Sequence, residues 1–429
     1  MIDRGIDTSQ QRPVTVIPRS EHPISRKDID PDALRVLYKL KNHGYLAYLV
    51  GGGVRDLFLG RKPKDFDVAT NARPSEIKEL FRNSRLIGRR FRLVQVFFKG
   101  GKVVEVSTFR CRSEFDPADE ALQDNNTYGT SGEDALRRDL TINALFYNIA
   151  DFSVLDYVGG VEDLKHGIVR VIGEPEARFI RDPVRMMRAI RHAARTGFTI
   201  EENTFRAIEK NRDRIWLCPV SRIRDEWLRD FTGGSAAACV KLMIRTGFFF
   251  SLFSFYEPVL KKEAEKLTPF LLALLRRLDR LCSEGTPVSQ AFMFALFLLP
   301  WFRASGLAWS PSSLSPNPWF TEDIRQAVHG ALGIFDIKRS DRENASHLLA
   351  AQPVLSEIAD SGQIPRRIRP RRYPLEAIRL FLLAAEAEDK SVPPATINLL
   401  YKPSRSTKKQ PWRRRKKRRP QPTGDITGH

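Results

Sequence analysis

The 429-residue sequence predicts an α/β first third followed by an all-helical remainder. Three observations carry this. A strand-like run, YLAYLV, leads directly into GGGVRDLFLG, so a strand, a glycine turn and a helix follow one another. RLVQVFF and KVVEVSTF alternate with period two across Lys99, Gly100 and Gly101, the pattern of a β-hairpin. Beyond Gly173 the apolar residues recur at helical spacing up to about residue 390.

Each element has a local reason. Residues 1–30 are polar and punctuated by proline, and read as a loose lead-in. PDALRVLYKLKNHG places Leu34, Leu37, Tyr38 and Leu40 on one helix face, with Gly44 as its stop. PSEIKELFRN reads as a second helix, and EDALRRDLTINALFYN as a third. Between them the polar stretch 111–133 suggests a mobile loop. The apolar run Ala291–Phe302 carries a proline and is too short to span a membrane, so it is expected to be a buried helix. No internal repeat is present, and the length suits two to four domains. The expected units are 1–30, 31–172, a neck at 173–260, a body at 261–398 and a tail at 399–429.

Composition narrows the function classes. Hydrophobic residues are 42% and charged residues 28%, as in a soluble globular chain. Cys111, Cys218, Cys239 and Cys282 are widely spaced, without a CxxC pair, which argues against zinc fingers and fits a reducing cytoplasm. MIDRGIDTSQ lacks the basic-then-apolar order of a secretion signal. The net charge of +20 points to a polyanionic partner, and to nucleic acid rather than membrane because no amphipathic anchor accompanies it. Much of that charge lies at the end, in Arg413, Arg414, Arg415, Lys416, Lys417, Arg418 and Arg419. This tail has little to bury, so it is expected to be disordered and to grip RNA phosphates.

The candidate chemistry begins at KPKDFDVAT. On a strand, Asp65 and Asp67 would share a face with Phe66 turned into the core. Two carboxylates that close repel unless a cation sits between them or one keeps a proton. The Gly51–Gly53 turn before a helix is a plausible phosphate cradle. Glu105 alternates with Val104 and Val106, and would lie beside the aspartates if its strand pairs near theirs. Asp182, Arg185, Arg188 and Arg191 recur at steps of three, one acid followed by three arginines on one side of a helix.

GGGVRD, then DFD, then RRDLTINAL, then RDPVRMMRAIR is an order that resembles the class II tRNA nucleotidyltransferase and bacterial poly(A) polymerase family. The resemblance covers residues 45–255, and LIGRRFRLVQV looks like the segment that marks the poly(A) polymerases. Three departures stand out: Gln95 where a histidine is usual, Arg181 where an acid is usual, and His192 where an aromatic is common.

The resemblance implies an α/β nucleotidyltransferase head, polymerase β-like with a small antiparallel-type sheet, followed by an all-α neck, body and tail. It implies a two-metal Mg²⁺ site on Asp65 and Asp67, with ATP as substrate and RNA 3′ ends as acceptor. Gly52 and Arg55 would belong to the triphosphate cradle, and Arg138 would contact the nucleotide. Asp139 would be a third acid, with Glu105 the other candidate. Asp182, Arg185, Arg188 and Arg191 would select the base. The expected activity is template-independent addition of AMP to RNA. CCA or A addition to tRNA is the alternative, and a non-catalytic RNA-binding scaffold is a third reading.

Overall fold

The computed structural model describes residues 13–88, 93–111, 128–307, 322–363 and 375–401. Arg89–Arg92, most of the expected loop (112–127) and the basic run Arg413–Arg419 lie outside the described residues.

An eight-stranded sheet organises the first 172 residues. Its strands are β1 (Thr15–Ile17), β2 (Ala47–Val50), β3 (Asp67–Thr70), β4 (Ser84–Ile87), β5 (Leu93–Phe97), β6 (Val103–Thr108), β7 (Leu145–Asn148) and β8 (Val154–Asp156). They lie in the order β1-β8-β7-β2-β3-β6-β5-β4. The sheet is larger than expected and mixed: every pairing is antiparallel except β3 with β6. Five helices accompany it: α1 (Pro31–Asn42), α2 (Gly52–Phe58), α3 (Pro74–Leu80), α4 (Ser131–Arg137) and α5 (Gly160–His166). α1 starts where expected, because the Asp30 carboxylate accepts from the backbone N–H groups of Asp32 and Ala33. It stops before Gly44, whose φ of 84° suits glycine.

The two sheet faces differ, and the difference places the site. Leu49, Val68, Val104 and Val106 pack into the main core with α1. On the other face Tyr48, Val50, Ala69 and Phe146 form a small cluster with Ala135 of α4. Alternation puts Asp67 on the face of Ala69, at the strand end beyond the apolar cover. Asp67 pairs with Val50 on one side and with Glu105 on the other.

Two local expectations are corrected. The lead-in is not loose throughout, since Thr15–Ile17 pairs with β8 as an edge strand. The segment EDALRRDLTINALFYN is not one helix: α4 ends at Arg137, a short turn spans Thr141–Asn143, and Leu145–Asn148 becomes a strand between β2 and β8. Leu145, Phe146 and Tyr147 are all buried there, so pairing inside the sheet overrides the helical spacing.

The other described residues are mainly helical. β9 (Ile168–Val169) pairs with β10 (Thr199–Ile200) and ties the head to the neck. The neck comprises α6 (Pro175–Arg181), α7 (Val184–Thr196), α8 (Glu202–Asn211), α9 (Val220–Thr232), α10 (Ala236–Arg245) and α11 (Phe248–Leu252). The body follows with α12 (Glu257–Ser283), α13 (Gln290–Ala304), α14 (Glu322–Gly333), α15 (Arg339–Ala350), α16 (Gln352–Ser361), α17 (Leu375–Ala387) and α18 (Pro394–Tyr401). Ala291–Phe302 is buried along its whole length in α13, as expected. No helix among the described residues is long and apolar enough to cross a membrane.

Trp227 of α9 joins neck to body. Its ring lies 4.8–5.6 Å from those of Phe231, Phe253, Phe294, Phe297 and Phe335. Trp227→Ala is expected to destabilise the protein by about 3–5 kcal/mol. Urea unfolding checks this, and an unchanged midpoint would show that the neck and body do not share this core.

Candidate active site

The elements converge on a cleft of about 470 Å³ between head and neck. Val50, Gly51, Gly52 and Asp67 line it from β2, α2 and β3, and Glu105 and Ser107 from β6. Arg137, Arg138, Asp139 and Asn143 contribute from the segment after α4, and Asp182, Arg185, Arg188, His192 and Arg222 from the neck. With Arg110, six arginines line the cleft against four carboxylates, so it favours a polyanion.

Gly51 is required by both conformation and space. Its φ is 74°, and a Cβ there would lie 3.4 Å from Asp67 Oδ2 and 3.7 Å from Arg138 Nη1. The turn therefore brings bare backbone up to the carboxylate.

Asp67 is exposed to the cleft, where neighbouring protein groups crowd its carboxyl. Its carboxyl is pushed up to about 6, first by loss of hydration and then by Glu105 and Asp65, against the pull of Arg138. The Glu105 carboxylate accepts a hydrogen bond from Gln95 Nε2 at 2.9 Å. Thus the residue standing where a histidine is usual orients the Asp67 neighbour. Asp65 precedes the strand rather than sharing its face, is exposed, and is not among the residues lining the cleft. Phe66 is partly buried against the core, as expected.

Arg138 is fixed above the cleft. Asp134 Oδ2 accepts from its Nε at 3.2 Å and from its Nη2 at 3.0 Å, and its guanidinium lies 5.1 Å from the Phe146 ring centre. Burial would raise the Asp134 carboxyl, but Arg138 and Arg137 hold it below the usual carboxylate range. Asp139 behaves similarly. Although buried, it is held well below that range by Arg188, His192 and Arg185, and its Oδ2 accepts from Arg188 Nε at 2.6 Å.

The remaining sequence candidates divide. Arg185 donates to the backbone carbonyls of Arg138 and Arg137 at 3.2 and 3.4 Å. Asp182 accepts two hydrogen bonds from Arg222, at 3.0 and 3.2 Å. Arg191 does not line the cleft; it pairs with Glu226 and Asp230 of α9. Arg55 is buried beneath the glycine turn, 2.7 Å from both Asp56 Oδ1 and Asn143 Oδ1. Sequence reasoning missed Arg222, Asp134 and Asn143. Asp134 and Asn143 flank or belong to RRDLTINAL, whereas no spacing in the chain links Arg222 to Asp182, 40 residues away.

Could a divalent metal sit here? No group of three or more His, Cys, Asp or Glu side chains among the described residues gathers as a ready-made cage. Asp67 and Glu105, in register on parallel strands, are nonetheless hard oxygen donors whose mutual repulsion a cation would relieve. The donor set fits Mg²⁺ completed by substrate oxygens.

The sequence matches two family models, the "Poly A polymerase head domain" over residues 47–170 and the "Probable RNA and SrmB-binding site of polymerase A" over residues 197–261. It is 44% identical over 292 residues to poly(A) polymerase I of Escherichia coli O6:H1, spanning 66% of this chain and 63% of that one. Over both matched segments the chain is similar to the class II tRNA nucleotidyltransferase and poly(A) polymerase family. A CCA-adding enzyme of Lactobacillus helveticus is 40% identical over 220 residues, 51% of this chain and 54% of that one. Among solved structures, Bacillus stearothermophilus CCA-adding enzyme in complex with CTP superposes with a TM-score of 0.62 at 26% identity, covering 87% of this chain and 82% of that one. Thermotoga maritima CCA-adding enzyme complexed with tRNA shares the fold, with a TM-score of 0.59 at 22% identity over 90% of this chain and 84% of that one. The chain spans about 63% of the length of the poly(A) polymerase it matches. The head-domain match and the shared fold agree on a nucleotidyltransferase head followed by helices.

A raised carboxylate has a thermodynamic signature. The Asp67 pKa is higher folded than unfolded, so ionising it opposes folding. The penalty is absent below the unfolded value, grows as pH rises, and is complete above about pH 6. In metal-free buffer, Asp67→Asn is therefore expected to raise the melting temperature at pH 8 but not at pH 4. Equal melting temperatures at both values would show that solvent relaxes the carboxylate pair.

Proposed function

We propose that this protein is a template-independent RNA 3′-end nucleotidyltransferase, a poly(A) polymerase that adds AMP from ATP and releases pyrophosphate. The observation supporting nucleotidyl transfer is the Asp67–Glu105 register pair beside the bare Gly51 turn in an arginine-rich cleft. The preference for AMP addition to diverse RNA rests on the longer match to poly(A) polymerase I, 292 residues against 220 for the CCA-adding enzyme. Cys218, Cys239 and Cys282 are free thiols, which suits action in the cytoplasm.

In this reading the Gly51–Gly52 turn offers its backbone to the triphosphate, and Arg138 with Arg110 and Arg137 neutralises it. Asp67 and Glu105, with Asp65 just ahead of the strand, would hold Mg²⁺, which would supply charge neutralisation at the phosphates and a lower pKa for the attacking hydroxyl. Glu105 is preferred over Asp139 as third acid because Asp139 is already engaged by Arg188. Asp182 and Arg185 face the base edge as acceptor and donor, with Arg222 fixing Asp182 and Asp139 fixing Arg188. Arg55 and Arg191 act from beneath, as supports for the turn and for α7. The RNA 3′-oxygen attacks the α-phosphorus in line, and positioning does most of the work.

Supplying each NTP separately with labelled RNA tests this. ATP is expected to extend an unstructured oligo(A), and Asp67→Ala to lower the rate at least about a hundredfold. CTP-then-ATP addition confined to tRNA lacking its 3′ end would favour the tRNA enzyme instead.

The basic run Arg413–Arg419 is proposed as a sequence-blind grip on RNA phosphates. Deleting residues 404–429 is expected to raise the KM for RNA, leave the KM for ATP unchanged, and flatten the salt dependence of binding by about 0.7 in slope per lost contact. Parallel salt plots of equal affinity would show that the tail does not touch RNA.

A further inference from the structure

Helix α7 brings one more side chain to the cleft, His192, which the mechanism above does not use. Its Nδ1 lies 3.1 Å from Arg55 Nη1 and its Nε2 lies 3.3 Å from Asn143 Nδ2. Arg55 Nη1 also donates to Asn143 Oδ1 at 2.7 Å, and its Nε and Nη2 go to Asp56 at 2.9 and 2.7 Å. Three elements therefore meet at one guanidinium: α2 with Arg55 and Asp56, the turn before β7 with Asn143, and α7 with His192.

The chemistry assigns the two ring nitrogens. A guanidinium has only donors and keeps its proton, so Nδ1 must be the acceptor and the imidazole proton sits on Nε2. Burial, against the pull of Asp139 and with the help of Arg55, Arg188 and Arg191, pushes the imidazole down to about 3, so the ring is neutral. The close approach of Nε2 to the Asn143 amide nitrogen is then not a hydrogen bond, because both atoms carry hydrogen. The bond that matters is Nδ1 with Arg55.

Arg55 in turn lies against the glycine turn: a Cβ at Gly52 would come within 3.3 Å of its Nη2. A guanidinium that swings would disturb the backbone that meets the triphosphate. We propose that His192 is a positioning residue, whose Nδ1 lone pair holds Arg55 against the Gly51–Gly52 turn and thereby sets the affinity for the nucleoside triphosphate. This rests on the reading of that turn as the triphosphate cradle. An aromatic ring without nitrogen would fill the same space but leave Arg55 Nη1 with Asn143 alone.

The test uses the fact that asparagine places its oxygen near the position of Nδ1, whereas glutamine reaches the position of Nε2. His192→Phe, His192→Asn and His192→Gln are made in the full chain. KM and kcat for ATP are measured on unstructured oligo(A), with ATP binding measured separately without RNA and melting temperatures alongside. H192F and H192Q are expected to raise the KM and the dissociation constant for ATP about tenfold to a hundredfold, the size of one hydrogen bond to a charged group. Their kcat should stay within about twofold, and H192N should restore ATP affinity to near wild type, since only one such bond is at stake. An unchanged KM in H192F overturns the proposal. So does rescue by glutamine rather than asparagine, or equal impairment in all three variants. Should H192F fail to melt cooperatively, the comparison of H192N with H192Q decides alone. A wild-type protein that binds ATP but adds no AMP would count against the proposed function; normal wild-type addition with flat variants counts against His192 only.

Discussion

Asp139 and Arg188 come from different parts of the chain and meet at 2.6 Å in the wall of the cleft. Arg185, one turn earlier on the same helix, donates to the backbone carbonyls on either side of the Arg137–Arg138 junction. Together these contacts fasten α7 to the segment that carries Arg138, and both line the cleft. Asp139 is buried while the Arg188 side chain is 41% exposed, so the pair adds little net stability, yet removing Arg188 would strand a buried carboxylate. The pair therefore favours the docking that keeps Asp139 matched with a cation.

Within that frame the cleft is electrostatically divided. On the sheet side, Asp67 and Glu105 repel each other at the one parallel pairing. On the helical side, Arg137, Arg138, Arg185, Arg188 and Arg222 are held in place by acids or carbonyls. The negative pair suits cations, and the positive wall suits the phosphates that bring them. Repulsion between Asp67 and Glu105 opposes folding at neutral pH, and the surrounding hydrophobic core must offset it. Clefts built this way trade local stability for a charge arrangement ready before substrate arrives.

The supporting layer is where this chain departs from the pattern its motifs suggest. Gln95 orients Glu105, and His192 orients Arg55. Gln95 stands behind a residue that lines the cleft, and His192 beside one that supports its glycine turn. Arg191 joins the same layer, tying α7 to Glu226 and Asp230 of α9. Burial outweighs Arg191 at Asp230 and pushes its carboxyl up to about 7.

Much of the site was legible in the chain because it depends on local patterns. The glycine turn, the DFD strand entry, the alternation that turns Glu105 from Val104 and Val106, and the spacing of Arg185, Arg188 and Arg191 each follow from the backbone period of one element, whereas Asp182, expected on the same helix, lies in the non-helical joint before α7. The buried α13 helix and the helical remainder follow from apolar spacing alone. What the chain could not disclose depends on which elements become neighbours. Only the parallel pairing of β3 with β6 put Glu105 opposite Asp67, and only strand partners on both sides turned Leu145–Asn148 from helix to sheet. The resemblance put Arg55 in the cradle and the spacing put Arg191 beside Arg185 and Arg188, yet packing turned both away from the cleft. Arg222 reached Asp182 through the docking of two helices. Local sequence sets what each side chain can do; the low dielectric and close packing of the fold decide which partner it does it with.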